Sequence, residues 1–192
     1  GRESRFFAKY GADVTHLDIG KSTVKSLNNW AKKNKKKVYS FSSDIETAEI
    51  GINKYDIIFL SGIYQHINTP ALALVKFINA LKKGGLMYMG FYRSGEFKYF
   101  IVDTIRFLLK KKQLSEIRNL NAMLFTLGEF DHYQSSRVMD DFFVPYIHLF
   151  SANQYIEYMK TLGFKMVGHD NAYPLDNINH KKLHHSASIV FE

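Results

Sequence analysis

The chain has no cysteine and only three prolines among its 192 residues. The absence of cysteine excludes disulfides and thiolate metal sites, and it suits a reducing compartment such as the cytoplasm. No apolar run approaches the roughly 20 residues that a transmembrane helix needs, so no membrane partner is expected. Proline is too rare, and low-complexity sequence too scarce, to mark a domain boundary. We therefore expect residues 1–192 to form a single domain.

Positive charge is in excess, with a net charge of +8, and much of it lies in the runs Lys32–Lys37 and Lys110–Lys112. Each run closes a predicted helix, where cations complement the carboxyl end of the helix dipole. A basic surface can also bind nucleic acid. However, arginine is scarce and no aromatic residues alternate with the lysines for base stacking. The pattern favours solvent-exposed helix ends over a nucleic-acid site.

The first half of the chain alternates between predicted strands and helices. Tyr55–Ser61 is a near-continuous apolar run, which is typical of a strand covered on both faces. The other predicted strands are Val14–Ile19, Val38–Phe41 and Leu86–Tyr92, and the helices are Arg2–Gly11, Ser22–Lys36 with Ser22 as N-cap, and Asn68–Leu81. This order predicts an α/β fold with a mostly parallel sheet, right-handed crossovers and helices on both faces.

The second half of the chain has a different pattern of predicted secondary structure. Residues 93–150 are helical and aromatic without a clear strand, and we expect them to form an insert that caps the substrate site. An amphipathic helix follows at Ser151–Phe164, capped by Ser151. The segments Lys165–Asn171 and Ser186–Glu192 have strand patterns with no helix between them, so they are predicted to pair as an antiparallel hairpin. The loop of this hairpin contains His180, His184 and His185 but no carboxylate at fitting spacing, so no metal site is expected.

The stretch YDIIFLSGIYQHINTP places polar side chains directly after a buried strand. Ligands of open α/β sheets bind beyond the carboxyl ends of the strands. We therefore expect Tyr64, Gln65 and His66 to face a ligand instead of the core.

Taken in order, these segments resemble the class I S-adenosylmethionine-dependent methyltransferases, over most of the chain except roughly residues 93–140. GRESRFFAKYGADVTHLDIG is similar to the end of that family's glycine-rich loop, its first helix and its second strand. SSDIE resembles the acidic step after strand three, YDIIFLSGIYQHI resembles strand four with its loop, and ALKKGG resembles the turn before strand five, with Lys83 in place of a proline. The terminal antiparallel hairpin separates the chain from dinucleotide-binding dehydrogenases.

The resemblance implies a seven-stranded Rossmann-like sheet with the helical, aromatic insert after the fifth strand. The family's first strand is missing from this sequence. We therefore expect the chain to be truncated at its N-terminus, within the glycine-rich motif, and to be a fragment of a longer protein.

The resemblance also implies S-adenosyl-L-methionine as cofactor. Asp18 would accept hydrogen bonds from both ribose hydroxyls. Asp44 would accept from the adenine amino group, or would merely cap a helix. Ile19 would pack on the adenine or belong to the core. The full set of expected cofactor-binding residues is Gly1, Asp18, Ile19, Asp44, Ile45, Ser61, Gly62 and Tyr64.

The acceptor is expected to be a small molecule methylated on oxygen or nitrogen. His66 would act as general base or would only orient its loop, and His148 is a second base candidate. The insert would form a lid that brings Tyr92, Arg93, Asp140, Asp141 and Tyr146 near the acceptor. Alternatively, the insert has a small core of its own, with Phe142, Phe143 and Phe150. The other functions considered are an RNA-modifying or RNA-binding protein, a non-catalytic scaffold and a dehydrogenase.

Overall fold

The computed structural model of the chain describes residues 1–94, 97–109, 111–169 and 186–192. Its backbone contacts divide into two compact units. Unit 1 comprises residues 1–52 and 71–80, and unit 2 comprises residues 53–70 and 81–192. The single-domain organisation of the chain stays a prediction.

Unit 1 contains a two-stranded parallel sheet. Strands β1 (Val14–Asp18) and β2 (Val38–Ser42) pair with Asp18 opposite Ser42. The helices of this unit are α1 (Arg2–Lys9), α2 (Lys21–Lys33) and most of α3 (Pro70–Ala80). All of these elements were predicted, because each has a clear strand or helix period.

The turn between β1 and α2 corrects one prediction. Ser22 is not the N-cap of α2, because the helix begins at Lys21 and Gly20 is its cap. The Gly20 N–H donates to Asp18 Oδ1 at 2.7 Å, so the acid at the end of β1 closes the turn. At the other end, Lys32 and Lys33 occupy the last turn of α2, where the sequence placed them.

Unit 2 is built on a four-stranded sheet with the order β3-β4-β6-β5. Its strands are β3 (Tyr55–Ser61), β4 (Leu81–Tyr92), β5 (Met166–His169) and β6 (Ser186–Phe191). β3 and β4 are parallel, whereas β6 is antiparallel to both β4 and β5. The antiparallel pairing of the last two strands is therefore confirmed. β4 begins earlier than predicted, because Leu81 already pairs with Tyr55.

Helices account for most of the described residues between β4 and β5. They are α4 (Phe97–Leu108), α5 (Lys111–Thr126), α6 (His132–Phe142) and α7 (Ala152–Thr161). The predicted cap of α7 is confirmed, since Ser151 Oγ accepts from the Gln154 N–H at 3.5 Å. None of the helices in the described part of the chain is long and apolar enough to cross a membrane.

The core of unit 2 lies between α7 and the sheet. Met89, Phe91 and Met159 have no exposed surface. The Phe150 ring packs 5.4 Å from Phe91 and 5.9 Å from Tyr155, so Phe150 belongs to this core and not to a separate core of the insert.

The prediction that β3 is covered on both faces is wrong at its beginning. Ile57 is 48% exposed, and β3 lies at one end of the described strand order. The apolar run therefore predicted a strand, but it did not predict which residues of the strand are buried.

Candidate functional site

The carboxyl end of β1 presents the carboxylate of Asp18. Its Oδ1 accepts from the Gly20 N–H, and its Oδ2 lies 4.0 Å from His16 Nε2. The side chain of Asp18 is 33% exposed. Each carboxylate oxygen can accept more than one hydrogen bond, so Asp18 keeps the capacity to bind two hydroxyls.

His16 was missed at the sequence level. Its Nδ1 lies 2.8 Å from Ser40 Oγ on the neighbouring strand. Burial lowers the pKa of His16, and the negative charge of Asp18 opposes that shift. Side chains two residues apart on a strand share a face, so the spacing of His16 and Asp18 was a usable signal.

A tight turn at Asp44–Ala48 follows β2. Asp44 Oδ1 accepts from the Glu46 N–H at 2.9 Å, and the Asp44 carbonyl accepts from the N–H groups of Thr47 and Ala48 at 3.2 and 2.8 Å. In the described structure no helix follows Asp44 before β3, so the helix-capping alternative is wrong, and the side chain closes a turn instead. Within the described part of the chain, the Ile45 N–H has no hydrogen-bond partner. The turn thus presents a free N–H donor beside a carboxylate acceptor.

This turn is held from one side by Lys76 of α3. The Lys76 ammonium donates to the carbonyl oxygens of Ile45 at 3.1 Å and Ala48 at 3.2 Å, and also to that of Glu46. The sequence gives no signal for this contact, because Lys76 lies about 30 residues away in a helix of ordinary pattern.

The ends of β1 and β2 bring four predicted residues of unit 1 together. The Ser43 N–H donates to the Asp18 carbonyl at 3.2 Å, and Ser42 Oγ donates to the Ile19 carbonyl at 3.1 Å. Ile19 is 76% exposed, so the alternative that it belongs to the core is wrong. Asp44 and Ile45 follow directly.

Gly1 lies apart from this group in the chain, as the N-cap of α1. Its carbonyl accepts from the Arg5 N–H at 3.1 Å. Its role in cofactor binding stays a prediction.

In unit 2, Ser61 ends β3 and Gly62 turns the chain. Gly62 has φ +68°, and its N–H donates to the Gly90 carbonyl at 3.0 Å. A Cβ at Gly62 would meet only the Gln65 amide, 3.9 Å away, so backbone conformation and not space requires glycine.

The orientation predicted for Tyr64 and Gln65 is wrong. Tyr64 is 2% exposed and Gln65 is fully buried, because the short 3-10 turn Tyr64–His66 folds both side chains onto the core. The Tyr64 hydroxyl donates to the Pro70 carbonyl at 3.1 Å, and burial raises the pKa of Tyr64. Its contact with a cofactor stays a prediction.

His66 is fixed in a defined tautomer. Its Nδ1 lies 2.9 Å from the carbonyl oxygen of Tyr146. A carbonyl can only accept, so Nδ1 carries the proton and Nε2 has the lone pair in the neutral ring. Nε2 is buried and has no partner among the described residues. The ring also packs edge-on against Tyr92, with 5.4 Å between centroids.

Tyr92 and Asp140 interact with His66, and Tyr99 and Asp141 are their neighbours. Burial raises the pKa of Tyr92, and the charges of Asp140 and Asp141 raise it further. Burial also raises the pKa of Asp140, and the charge of His66 opposes that shift. Asp141 is paired with Lys98 at 2.8 Å, whereas Tyr92 stacks on Tyr99 at 4.7 Å. Asp140 is the acid of the Asp140–Asp141 pair that interacts electrostatically with His66.

The second base candidate is joined to the same turn. The His148 N–H donates to the Gln65 carbonyl at 2.8 Å. His148 Nε2 is also buried and without a partner in the described part of the structure. Arg93 forms an isolated backbone bridge with Phe150, two residues after His148. The structure thus brings most of the predicted acceptor residues together from three chain segments, and the bond between His66 and Tyr146 joins residues 80 positions apart.

Within the described ranges, no group of three or more histidines and acidic residues is placed to hold a metal ion. The predicted cluster of His180, His184 and His185 lies outside the described residues.

Residues 1–89 match a protein family described as "Methyltransferase domain". No curated protein sequence matches the chain significantly. Solved structures with a similar fold include the Burkholderia thailandensis 1,6-didemethyltoxoflavin-N1-methyltransferase with bound 1,6-didemethyltoxoflavin and S-adenosylhomocysteine. It is 13% identical, with a TM-score of 0.60, over 100% of this chain and 65% of that one.

Two further structures have the same fold. PKMT2 from Rickettsia typhi, in complex with AdoHcy, is 12% identical over 97% of this chain and 45% of that chain, with a TM-score of 0.64. PH0226 from Pyrococcus horikoshii is 15% identical over 100% and 78%, with a TM-score of 0.59. The chain thus spans less than two thirds of the length of the first two structures.

Proposed function

We propose that the protein methylates a small-molecule acceptor on oxygen or nitrogen. The proposal starts from two findings: residues 1–89 match a methyltransferase domain, and the whole chain has the class I methyltransferase fold. These matches support a methyltransferase that uses S-adenosylmethionine as its cofactor. The acceptor, the catalytic base and a cytoplasmic location are our proposals.

The residues of unit 1 fit the nucleoside half of S-adenosylmethionine. Asp18 has lone pairs left for the ribose hydroxyls. The free Ile45 N–H beside the Asp44 carboxylate offers one donor and one acceptor, which suit an adenine ring nitrogen and the adenine amino group. Ile19 is exposed and available to pack on the base. When bound, S-adenosylmethionine supplies a methyl group activated by its sulfonium.

A cofactor-binding role for Ser61, Gly62 and Tyr64 of unit 2 stays a prediction. The turn at Gly62 leaves open space, because a Cβ at this position would have only the Gln65 amide within 4 Å. Such space beside a backbone turn suits a close approach of a ligand.

The observation that carries the proposal is the tautomer of His66. Because the Tyr146 carbonyl fixes the proton on Nδ1, the Nε2 lone pair can accept a proton from an acceptor hydroxyl or amine. His66 is thus proposed to be both oriented and basic, so the two roles considered for it are combined. Tyr92, Arg93, Asp141 and Tyr146 are proposed to line the acceptor side.

The shielding of two ring nitrogens supports a small acceptor. Nε2 of His66 and Nε2 of His148 are both shielded from bulk water, which favours a small molecule over a macromolecule. An RNA acceptor would instead bind to exposed lysines, and its binding would weaken steeply with salt.

The first test is binding of S-adenosylmethionine to the full-length protein by calorimetry. We expect Asp18→Ala to abolish it, and Asp13→Ala to leave it unchanged, since the Asp13 carboxylate is 70% exposed and pairs with Lys37 on the surface. No binding by the folded wild type would refute the enzyme and favour a scaffold.

The acceptor is tested with radiolabelled S-adenosylmethionine on the small-molecule, RNA and protein fractions of a cell extract. Label transferred to the small-molecule fraction supports the proposal. Label found in RNA or protein alone would refute the proposed acceptor class while leaving the enzyme class intact.

A further inference from the structure

Lys76 makes an unusual set of contacts for a helical lysine. Its ammonium donates to three main-chain carbonyls, those of Ile45, Glu46 and Ala48. An ammonium has three N–H donors and no acceptor, so this one turn can use its whole hydrogen-bonding capacity. The side chain is partly buried, and all four residues lie in unit 1.

These contacts complete the fixation of the Asp44–Ala48 turn. The Asp44 side is already held by the N–H groups of Glu46, Thr47 and Ala48. In a planar trans peptide the N–H points opposite to the carbonyl. Since the Asp44 carbonyl faces the amides inside the turn, the Ile45 N–H is directed away from them.

We infer that Lys76 is a positioning residue that sets the preference of the cofactor site for adenine, by holding the Ile45 N–H and the Asp44 carboxylate in register. This inference rests on the proposed function. Without the ammonium, three carbonyls lose their donor and must turn toward water. The Ile45–Glu46 and Glu46–Thr47 peptides then rotate. The Glu46 N–H moves with the Ile45 carbonyl and shifts the Asp44 carboxylate, so the donor–acceptor pair no longer matches the edge of a 6-aminopurine.

The test compares two ligands by calorimetry: S-adenosylhomocysteine and its hypoxanthine counterpart, S-inosylhomocysteine. The counterpart has an oxo group where adenine has an amino group, and a protonated ring nitrogen where adenine has an acceptor. The wild type should prefer the adenine ligand. Lys76→Met removes all three donors at similar length, and we expect it to reduce that preference by about tenfold.

Two further variants make the result specific. Lys25→Met is the matched control, because Lys25 is exposed on α2 of the same unit, and the preference should stay at the wild-type value. Lys76→Arg should restore part of the preference, since a guanidinium can donate to more than one carbonyl. If Lys76→Met does not fold, as judged by circular dichroism, Lys76→Gln replaces it, with a smaller reduction expected because its amide keeps two N–H donors.

The outcomes distinguish a failure of the proposed function from a failure of the inference about Lys76. A wild type that binds neither ligand overturns the proposed function and this inference with it. A wild type that prefers adenine, with the same preference in the Lys76 variants, overturns this inference alone. Equal weakening of both ligands shows that Lys76 acts only on stability, which also overturns it.

Discussion

Replacing His66 by asparagine separates its two proposed roles. The Nδ2 of asparagine occupies nearly the position of the histidine Nδ1, so His66→Asn can keep the bond to the Tyr146 carbonyl while losing Nε2. A general base contributes about 10²- to 10⁴-fold to the rate, or about 2.7–5.4 kcal/mol. We expect kcat to fall by this factor in His66→Asn, with little change in stability.

His66→Ala removes the bond to Tyr146 as well. It should lose the same factor in kcat and an additional ~0.5–1.5 kcal/mol in the free energy of unfolding. The assay is initial rates at saturating cofactor over a pH series, with urea unfolding in parallel. The pH dependence of the wild-type rate should differ from that of His66→Asn, which has no base at this position.

Two results would refute the assignment of the base. Wild-type kcat in His66→Asn, with a loss in His66→Ala, would show that His66 only orients its loop. A loss in His148→Asn, with none in His66→Asn, would assign the base to His148, whose Nε2 is buried in the same way.

Three further predictions concern stability. Burial lowers the pKa of His16 from 6.5, so the unfolded state takes up its proton first. The contribution of His16 to the free energy of unfolding should therefore be complete above about pH 6.5 and decline as the pH falls toward the lowered pKa. In urea titrations, His16→Gln should remove that decline. Gly62→Ala should lower the free energy of unfolding by about 1–2 kcal/mol, because φ is +68° there; no loss would mean that the turn relaxes. Phe91→Ala should cost about 3–5 kcal/mol in the same measurement, whereas Phe100→Ala, at a 68% exposed position, should change it by less than about 0.5 kcal/mol; similar losses would contradict the assigned core.

The order of elements could be predicted from the sequence because it depends on local periodicity. The β1–α2–β2 alternation, the parallel pairing of β3 with β4, and the final antiparallel strands were all predicted. The positions of Asp18 and Asp44 followed from the same reasoning, since a residue after a strand must lie at the edge of its sheet.

Side-chain direction after β3 could not be predicted from the sequence. Tyr64 and Gln65 were expected to face a ligand, but a 3-10 turn rotates them into the core, and no periodicity signals so short an element. The boundary at Leu81 was missed for a related reason, because pairing with Tyr55 extends a strand into a segment that ends like a helix.

The sequence by itself determined which strands and helices form, which acids end the strands of unit 1, and which family the chain resembles, because all of these depend on residues close together in the chain. Only the tertiary structure decided the His66 tautomer and the hydrogen bonds from Lys76 to the Asp44–Ala48 turn. Each depends on a carbonyl about 30 to 80 residues away, and a main-chain carbonyl leaves no mark on residue type.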